Sequence, residues 1–248
     1  MLREIMNIPV CFCFHPAKTE STMQDAKNII EQIKYPPCSF VCRAESQTGG
    51  RGRENNIWSS PKGGLWFTHA VKIENIPPQL ALLPALCLLN ILTDFYPDLC
   101  EKTKLKWPND ILYRGKKLAG ILMETWKGYL LTGVGINTNN EITLSDAVWQ
   151  PVSLKNILGF QVSNSALLST FLKRYSQMLS QFEQEGLYPF LKALNANLYG
   201  RNKKFVLVRG NETYKGICRG FNEDGALIFE ISSGENLSVY SGNLLPYV

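Results

Sequence analysis

The spacing of hydrophobic residues divides the first part of the chain into one helix and several strands. After Ser21 and Thr22, apolar side chains recur every three or four positions, which predicts an amphipathic helix with one apolar side formed by Met23, Ala26, Ile29, Ile30 and Ile33. Ser21 followed by Gln24 fits a capping box, so the Ser21 hydroxyl is expected to begin this helix. Short apolar segments on either side predict strands over residues 8–14, 40–43 and 65–71.

The middle of the chain contains a long apolar run between polar, turn-rich segments. Residues 80–92 follow Pro77-Pro78 and are shorter than the roughly 20 apolar residues that a membrane span needs. The run therefore predicts a buried helix, and no membrane association is expected. Arg114-Gly115 and Lys127-Gly128 then mark tight turns between three predicted strands. These strands cover residues 111–113, 118–125 and 129–134, and two predicted helices after them cover residues 165–185 and 189–198.

Near Gly200 the pattern changes to short strands alone. The strands are separated by the turn signals Gly210-Asn211, Asp224-Gly225 and Ser233-Gly234. They cover residues 205–208, 214–219, 226–231 and 237–240. We therefore predict two domains, an α+β domain over residues 1–198 and a small β-barrel over residues 199–248.

The composition is that of an ordinary globular protein. Of the 248 residues, 45% are hydrophobic and 19% are charged, which excludes a disordered chain. The formal net charge of +5 allows an acidic partner or substrate but does not demand nucleic acid. Cys is present seven times without paired spacing and His only twice, so the sequence contains no zinc-like pattern. We expect reduced thiols and a soluble, cytoplasmic protein.

The segment Gly49-Gly50-Arg51-Gly52-Arg53, with Trp58 shortly after it, carries the strongest chemical signal in the chain. Glycine lets backbone N–H groups approach a ligand closely, and arginine presents a planar fork that suits carboxylate or phosphate oxygens. The segment therefore predicts a loop that handles anions. A solvated basic turn is the alternative, and the rest of the sequence has to decide between the two.

Other segments occur in a fixed order around this loop. They are Glu20-Ser21-Thr22, Gln47-Thr48, Lys106-Trp107-Pro108-Asn109-Asp110, Lys116-Lys117-Leu118-Ala119-Gly120-Ile121-Leu122 and Gly133-Val134-Gly135-Ile136-Asn137. In this order and at these separations the chain resembles the biotin protein ligases (biotin–[acetyl-CoA-carboxylase] ligases), in the short form without an N-terminal DNA-binding domain. The resemblance implies a mixed sheet flanked by helices, as in class II synthetases and biotin–lipoate ligases, and an SH3-like C-terminal barrel.

The resemblance also implies an activity. Such enzymes join biotin to the α-phosphate of ATP, with Mg²⁺, and then pass biotin to a lysine of a biotin carboxyl carrier domain of acetyl-CoA carboxylase or a related carboxylase. The first step brings two anions together, so the site must neutralise negative charge. Because no helix-turn-helix precedes the first motif, no DNA binding is expected. A homodimer is possible for this family.

Site residues follow from the motifs that match the family. Lys117, Arg51 and Arg53 are implied as catalytic, with Lys117 between the carboxylate and the phosphate. Biotin binding is implied for Ser21, Thr22, Gln47, Arg51, Gly52, Arg53 and Lys117. Nucleotide binding is implied for Trp58, Asn109, Ile121, Gly133 and Asn137, and Mg²⁺ binding for Asp110. Hydroxyl and amide groups suit the ureido ring of biotin, and carboxylate oxygen suits a hard cation.

Each of these residues also has a simpler structural interpretation. Ser21 could only cap its helix, Trp58 could be a core residue, and Asp110 could be an ordinary turn residue; Trp66 and Trp107 are expected in the core. The sequence departs from the family at Met23, where many relatives have a polar residue, and at Glu54-Asn55-Asn56, where the family is more basic. The loop is expected to become ordered when a ligand binds.

Three other functions remain to be weighed. A lipoate or octanoate ligase or transferase would have the same fold, but the chain lacks the arginine-rich entry motif of those enzymes. A non-enzymatic RNA-binding protein would use the basic loop and the small barrel, yet the C-terminal strands show no regular alternation of aromatic and basic residues. A P-loop ATPase is excluded because Ile121-Leu122 stands where Lys-Ser/Thr is required.

Overall fold

The structure, a computed structural model, describes residues 13–73, 76–143 and 148–247. Its largest sheet has seven strands in the order β1-β3-β5-β9-β8-β7-β6. Their bounds are β1 (Cys13–Phe14), β3 (Ser39–Ala44), β5 (Leu65–Lys72), β6 (Thr103–Lys106), β7 (Asp110–Tyr113), β8 (Lys116–Trp126) and β9 (Tyr129–Ile136). The pair β1 and β3 is parallel and the other pairs are antiparallel, so the sheet is mixed, as predicted. Most of the predicted strand over residues 8–14 lies outside the described residues.

Five α-helices accompany the described strands. They are α1 (Thr22–Gln32), α2 (Leu83–Phe95), α3 (Leu154–Leu158), α4 (Asn164–Glu185) and α5 (Tyr188–Asn197). The apolar run predicted as a buried helix forms α2, and the residues Pro78–Leu82 ahead of it form a 3₁₀ turn. Pro78–Phe95 is the one described helical run that is long and apolar enough to cross a membrane, but 61% of that stretch is buried. It therefore has the burial of a core helix.

The first helix corrects two details of the prediction. Ser21 is the N-cap residue, but its side chain makes no capping hydrogen bond to the described residues, so the expected capping box is not formed. Ile33, expected on the apolar face, lies beyond the last turn and is 42% exposed, because its extended backbone already ends the helix. Ser21 is nevertheless almost fully buried.

The tight turns of the first sheet are formed as predicted. Arg114 and Lys127 have positive φ angles of 48° and 45°, and the glycines that follow them, Gly115 and Gly128, are both at 79°. Positive φ at both central residues matches the right-handed twist of the flanking strands, which is why such turns join adjacent strands. The turns place β7, β8 and β9 side by side in the sheet.

The second sheet has five antiparallel strands in the order β13-β12-β11-β10-β14. They are β10 (Lys204–Arg209), β11 (Glu212–Phe221), β12 (Leu227–Ile231), β13 (Asn236–Val239) and β14 (Asn243–Pro246). The sequence predicted the first four and missed β14, which ends in a proline at the sheet edge. It also missed β6 and a small parallel pair, β2 (Lys18–Thr19) with β4 (Ser46–Gln47).

Both sheets contribute to one hydrophobic cluster. Leu105 in β6 and Trp107 just after it belong to the same buried cluster as Phe205, Leu207 and Leu244 from the second sheet. Trp66 and Trp107 are almost fully buried, as predicted. A second, smaller cluster lies under α1, with Met23, Ala26 and Ile30 packed against β3 and β9. The six cysteines within the described residues are all free thiols.

Candidate active site

A cavity of about 190 Å³ collects residues from the two sheets, α1 and the Gly/Arg loop. Twelve of the residues implied by the family resemblance line it: Ser21, Thr22, Gln47, Arg51, Gly52, Arg53, Trp58, Asn109, Asp110, Lys117, Ile121 and Gly133. These residues are separated by up to about a hundred positions in sequence, so the fold has gathered them. The lining continues with Lys106, Trp149, Gly242 and Asn243, which the sequence did not single out.

One end of the cavity is a network of neutral polar groups. The Gln47 side-chain oxygen accepts hydrogen bonds from the backbone N–H of Thr22 at 2.9 Å and from its hydroxyl at 3.1 Å. The Gln47 amide nitrogen donates to the Ser60 hydroxyl at 2.8 Å, which in turn donates to the Trp58 carbonyl at 3.2 Å. The Thr22 hydroxyl also pairs with Thr68 at 3.0 Å. These bonds hold the polar end in a single arrangement.

Trp58 stands over the glycines of two neighbouring strands. A Cβ atom at Gly120 would lie 2.9 Å from the indole, and one at Gly135 only 2.5 Å from Nε1, so both positions need glycine. The ring packs edge-on against Trp66 with centroids 6.3 Å apart. Trp58 is therefore partly a core residue and partly a wall of the cavity.

A single carboxylate holds two lysines at the other end. The Lys117 ammonium lies 3.0 Å from Oδ1 of Asp110, and the Lys106 ammonium lies 3.7 Å from Oδ2. Each ammonium also lies over an indole: Lys117 is 5.1 Å from the Trp58 ring centroid, and Lys106 is 5.4 Å from that of Trp149. Two positive charges on one negative charge leave this end cationic and suited to an anion.

The two lysines differ in burial. The side chain of Lys106 is 4% exposed and that of Lys117 is 29% exposed. Burial lowers the pKa of Lys106, Asp110 counteracts that effect, and the nearby cations Lys117 and Arg53 lower the pKa further. The charged form of Lys106 is therefore disfavoured by burial, and additional negative charge in the cavity would stabilise it.

The Gly/Arg loop reaches across to the second sheet. Arg51 forms a β-bridge with Ile57, and Gly52 donates its N–H to Asn56 at 2.7 Å, which folds the loop back on itself. Arg53 donates to the carbonyl of Gly242 at 3.1 Å. The loop therefore adds a third cation to the wall that already contains Lys106.

Asp110 does not fit the implied role of a Mg²⁺ ligand in this arrangement. Both of its oxygens are shared with ammonium groups, and a hard cation beside two lysines would be repelled. Asn109 uses its side-chain nitrogen to bond the Ile121 carbonyl. Among the described residues, no cluster of three or more His, Cys, Asp or Glu could hold a metal ion. We therefore derive no step through a protein-bound metal.

Asn137, implied as a nucleotide-binding residue, is not among the described residues that line the cavity, and that role stays a prediction. Its side-chain nitrogen lies 3.5 Å from the Lys117 carbonyl, and its oxygen accepts from Asn140 at 3.1 Å. Its backbone N–H donates to Leu118. Asn137 thus holds the first residues of β8, which include Lys117, through hydrogen bonds to their backbone carbonyls.

Sequence reasoning missed several residues of the cavity wall. Lys106 opens the Lys-Trp-Pro-Asn-Asp motif, so its place in the motif could have identified it. Thr68 lies in a segment without a motif, and only the folded contacts reveal it; Ser60, also outside any motif, supports the wall through its hydrogen bond to Gln47. Gly242 and Asn243 come from the second sheet, where no sequence signal pointed to the cavity.

Comparison with known proteins gives this geometry a context. The model of the biotin/lipoate A/B protein ligase family matches residues 16–140. Similar curated proteins include the bifunctional ligase/repressor BirA of Escherichia coli, 31% identical over 82% of this chain and 65% of its own length. The biotin–[acetyl-CoA-carboxylase] ligase of Paracoccus denitrificans is 26% identical over 89% of this chain and 95% of its own length. The chain therefore spans about two thirds of the BirA proteins that it matches.

Solved structures are similar over most of the chain. The biotin protein ligase of Aquifex aeolicus, in complex with biotin and ATP, superposes with a TM-score of 0.82 at 26% identity and covers 94% of this chain and 98% of its own. This similarity confirms the predicted fold class, an α+β domain with a mixed sheet followed by a small β unit.

Proposed function

The chain belongs to the biotin/lipoate A/B protein ligase family, and on that basis we propose that it is an ATP-dependent biotin protein ligase. It activates biotin as biotinyl-5′-AMP and transfers biotin to a lysine of a biotin carboxyl carrier domain. The observation that carries this proposal is the cavity itself, which is lined both by neutral hydrogen-bonding groups and by a cluster of cations.

The two ends match the two substrates. Biotin's ureido ring offers N–H donors and one carbonyl, which suits the Ser21 hydroxyl and the ordered network of Thr22 and Gln47. ATP brings phosphates, which suit Lys117, Lys106 and Arg53. Trp58 lies between the ends and offers an indole face to the adenine base.

Charge neutralisation is the task of the lysine end. A carboxylate oxygen of biotin attacks the α-phosphorus of ATP, an O–P bond forms, and the bond to the β-phosphate breaks as pyrophosphate leaves. Lys117, which is partly exposed to the cavity, approaches both anions and lowers their repulsion. In the second step the carrier amine attacks the acyl carbon, releases AMP and loses its proton. We assign no protein ligand to Mg²⁺.

Biotin-dependent exchange of labelled pyrophosphate into ATP tests the proposal directly. We expect exchange with biotin and none above background with lipoate or octanoate, because the polar end suits a ureido ring rather than a plain acyl chain. Exchange that lipoate or octanoate supports and biotin does not would assign the chain to the lipoate side of its family. Transfer is then tested with a purified carrier domain, and we expect the reaction to take place in the cytoplasm.

Lys117→Ala provides the matching variant. Removing the ammonium that meets both anions should lower exchange by at least about a hundredfold, the scale of losing one preorganised electrostatic contact. Lys116→Ala is the control, because Lys116 is exposed and does not line the cavity. Exchange at the wild-type rate in Lys117→Ala would contradict the assigned role.

A further inference from the structure

The second sheet enters the cavity through one short turn. Gly242 and Asn243 stand at the start of β14, and both line the cavity wall. The Gly242 carbonyl accepts a hydrogen bond from Arg53 at 3.1 Å, and Oδ1 of Asn243 accepts one from the Lys106 ammonium at 3.3 Å. One turn of the second sheet thus contacts a cation from the loop and a cation from β6.

These contacts extend an ordered series across the cavity. The Lys117 ammonium lies over the Trp58 ring and forms an ion pair with Asp110. Asp110 also forms an ion pair with Lys106, and Lys106 donates a hydrogen bond to Asn243. Lys106 is thus joined to Lys117 through one shared carboxylate and to the second sheet through Asn243. If Lys117 meets the reacting α-phosphate, Lys106 is placed for the phosphates beyond it.

The position of the Lys106 ammonium depends on the groups that contact it. It is almost fully buried, its ion pair with Asp110 is long at 3.7 Å, and Asp110 is shared with Lys117. A buried ammonium has three N–H groups to satisfy, and leaving one without an acceptor is costly. Asn243 supplies that acceptor without adding a negative charge that would repel phosphate.

From this geometry we propose that Asn243 is a positioning residue that aims the Lys106 ammonium at the pyrophosphate portion of ATP. The proposal rests on the proposed function and deepens it, since it gives the second sheet a direct part in nucleotide recognition. In this proposal Asn243 acts through Lys106 and has no role at the polar end of the cavity.

Inorganic pyrophosphate is the probe that isolates this contact. Titration calorimetry should show pyrophosphate binding weakened about tenfold in Asn243→Ala, the size expected for one hydrogen bond to a charged group. Asn236→Ala is the matched control, because Asn236 is exposed on the far edge strand of the same sheet and should bind pyrophosphate as wild type does. Wild type that binds no pyrophosphate, or equal affinities for wild type and Asn243→Ala, would overturn the inference.

Kinetics separate positioning from general damage. In the exchange assay Asn243→Ala should raise the KM for ATP about tenfold while the KM for biotin stays within about twofold. In a Lys106→Met background the same substitution should have almost no further effect, because its target is gone. Equal losses in both backgrounds, or a parallel rise in the KM for biotin, would show that Asn243 does not act through Lys106.

The two proposals fail in different ways. A wild-type protein without biotin-dependent exchange would refute the proposed function, yet the pyrophosphate titration would still decide the role of Asn243. Thermal unfolding of each variant shows whether it is folded, and circular dichroism at the assay temperature confirms this before any affinity is compared.

Discussion

At the scale of single residues, the chain places charged and titratable groups where their surroundings decide their state. Asp110 shares one negative charge between two lysines, and Lys106 remains buried with a lowered pKa because of this partial compensation. His69 is the opposite case, a titratable side chain buried without any charged partner among the causes that shift its pKa. The first arrangement leaves a net positive charge, whereas in the second a single ring is kept neutral by burial.

His69 predicts a pH dependence of folding. Burial lowers the pKa of His69 to about 4, and its ring nitrogen pairs with the Ser39 hydroxyl at 3.1 Å. The folded protein therefore keeps this ring neutral while the unfolded chain takes up a proton near pH 6.5. Stability from this group is complete above about pH 6.5 and is lost as the pH falls towards 4, by about 3 kcal/mol in total.

Urea unfolding between pH 7 and pH 4 measures this effect. Carboxylates also titrate in that range, so the comparison is between variants rather than between absolute stabilities. His69→Leu should remove the loss between about pH 6.5 and 4 that wild type shows, whereas His15→Gln, at an exposed site, should keep it. An unchanged pH dependence in His69→Leu would rule out this origin.

At the scale of elements, the sequence predicted most strands and helices because their hydrophobic periodicity is set by burial on one side. The strand from residue 65 and the helix α2 follow this rule closely. Strand β6 was missed because Lys106 is a lysine at a buried position, and its burial depends on Asp110 and Asn243. In β6, polar contacts of a buried lysine take the place of the apolar residue that the hydrophobic pattern of a strand would require.

Strand β9 shows a similar effect in its glycines. Gly133 and Gly135 weaken a strand in isolation, yet the structure uses the space above them for Met23 and Trp58. The sequence marked these glycines through a motif, but only the fold shows which side chains occupy that space. Likewise several cavity residues of the first sheet were predictable from motifs, whereas Thr68 in that sheet and Gly242 and Asn243 beside the second sheet were not.

Gly135→Ala tests the seating of Trp58. A methyl group there would lie 2.5 Å from the indole Nε1, so Trp58 must move out of its place beside Lys117. We expect a rise of about tenfold in the KM for ATP and a destabilisation of about 1–3 kcal/mol. Steady-state exchange kinetics and urea unfolding measure these two effects.

A second substitution shows whether the indole is the cause. Trp58→Phe removes the Nε1 atom that meets the new methyl group, so Gly135→Ala should cost less in that background than in wild type. The comparison uses the double variant and both single variants under the same conditions. Additive losses would mean that Gly135 matters for another reason, such as the backbone of β9.

At the scale of the whole molecule, the two sheets share one buried core. Their buried residues form a common cluster, and the backbone N–H of Tyr199, in the segment between the sheets, donates to Leu105 in β6 at 2.7 Å. The domain boundary predicted near residue 198 rests on a change of pattern in the sequence and stays a prediction. A shared core gives a physical reason for both sheets to unfold together.

Asn195→Ala provides the test at this scale. The Asn195 side chain accepts from the backbone N–H of Phe221 at 2.8 Å and donates to its carbonyl at 3.2 Å, which ties α5 to β11. Losing both bonds leaves a partly buried backbone pair without partners and should cost about 1–3 kcal/mol. Asn197→Ala is the control, because among the described residues the Asn197 side chain donates only to the carbonyl of Ala193 within its own helix, and it should shift stability by less than about 0.5 kcal/mol. Calorimetry should show one transition that moves to lower temperature in Asn195→Ala; two transitions, of which only one moves, would instead make the boundary near residue 198 a real thermodynamic division.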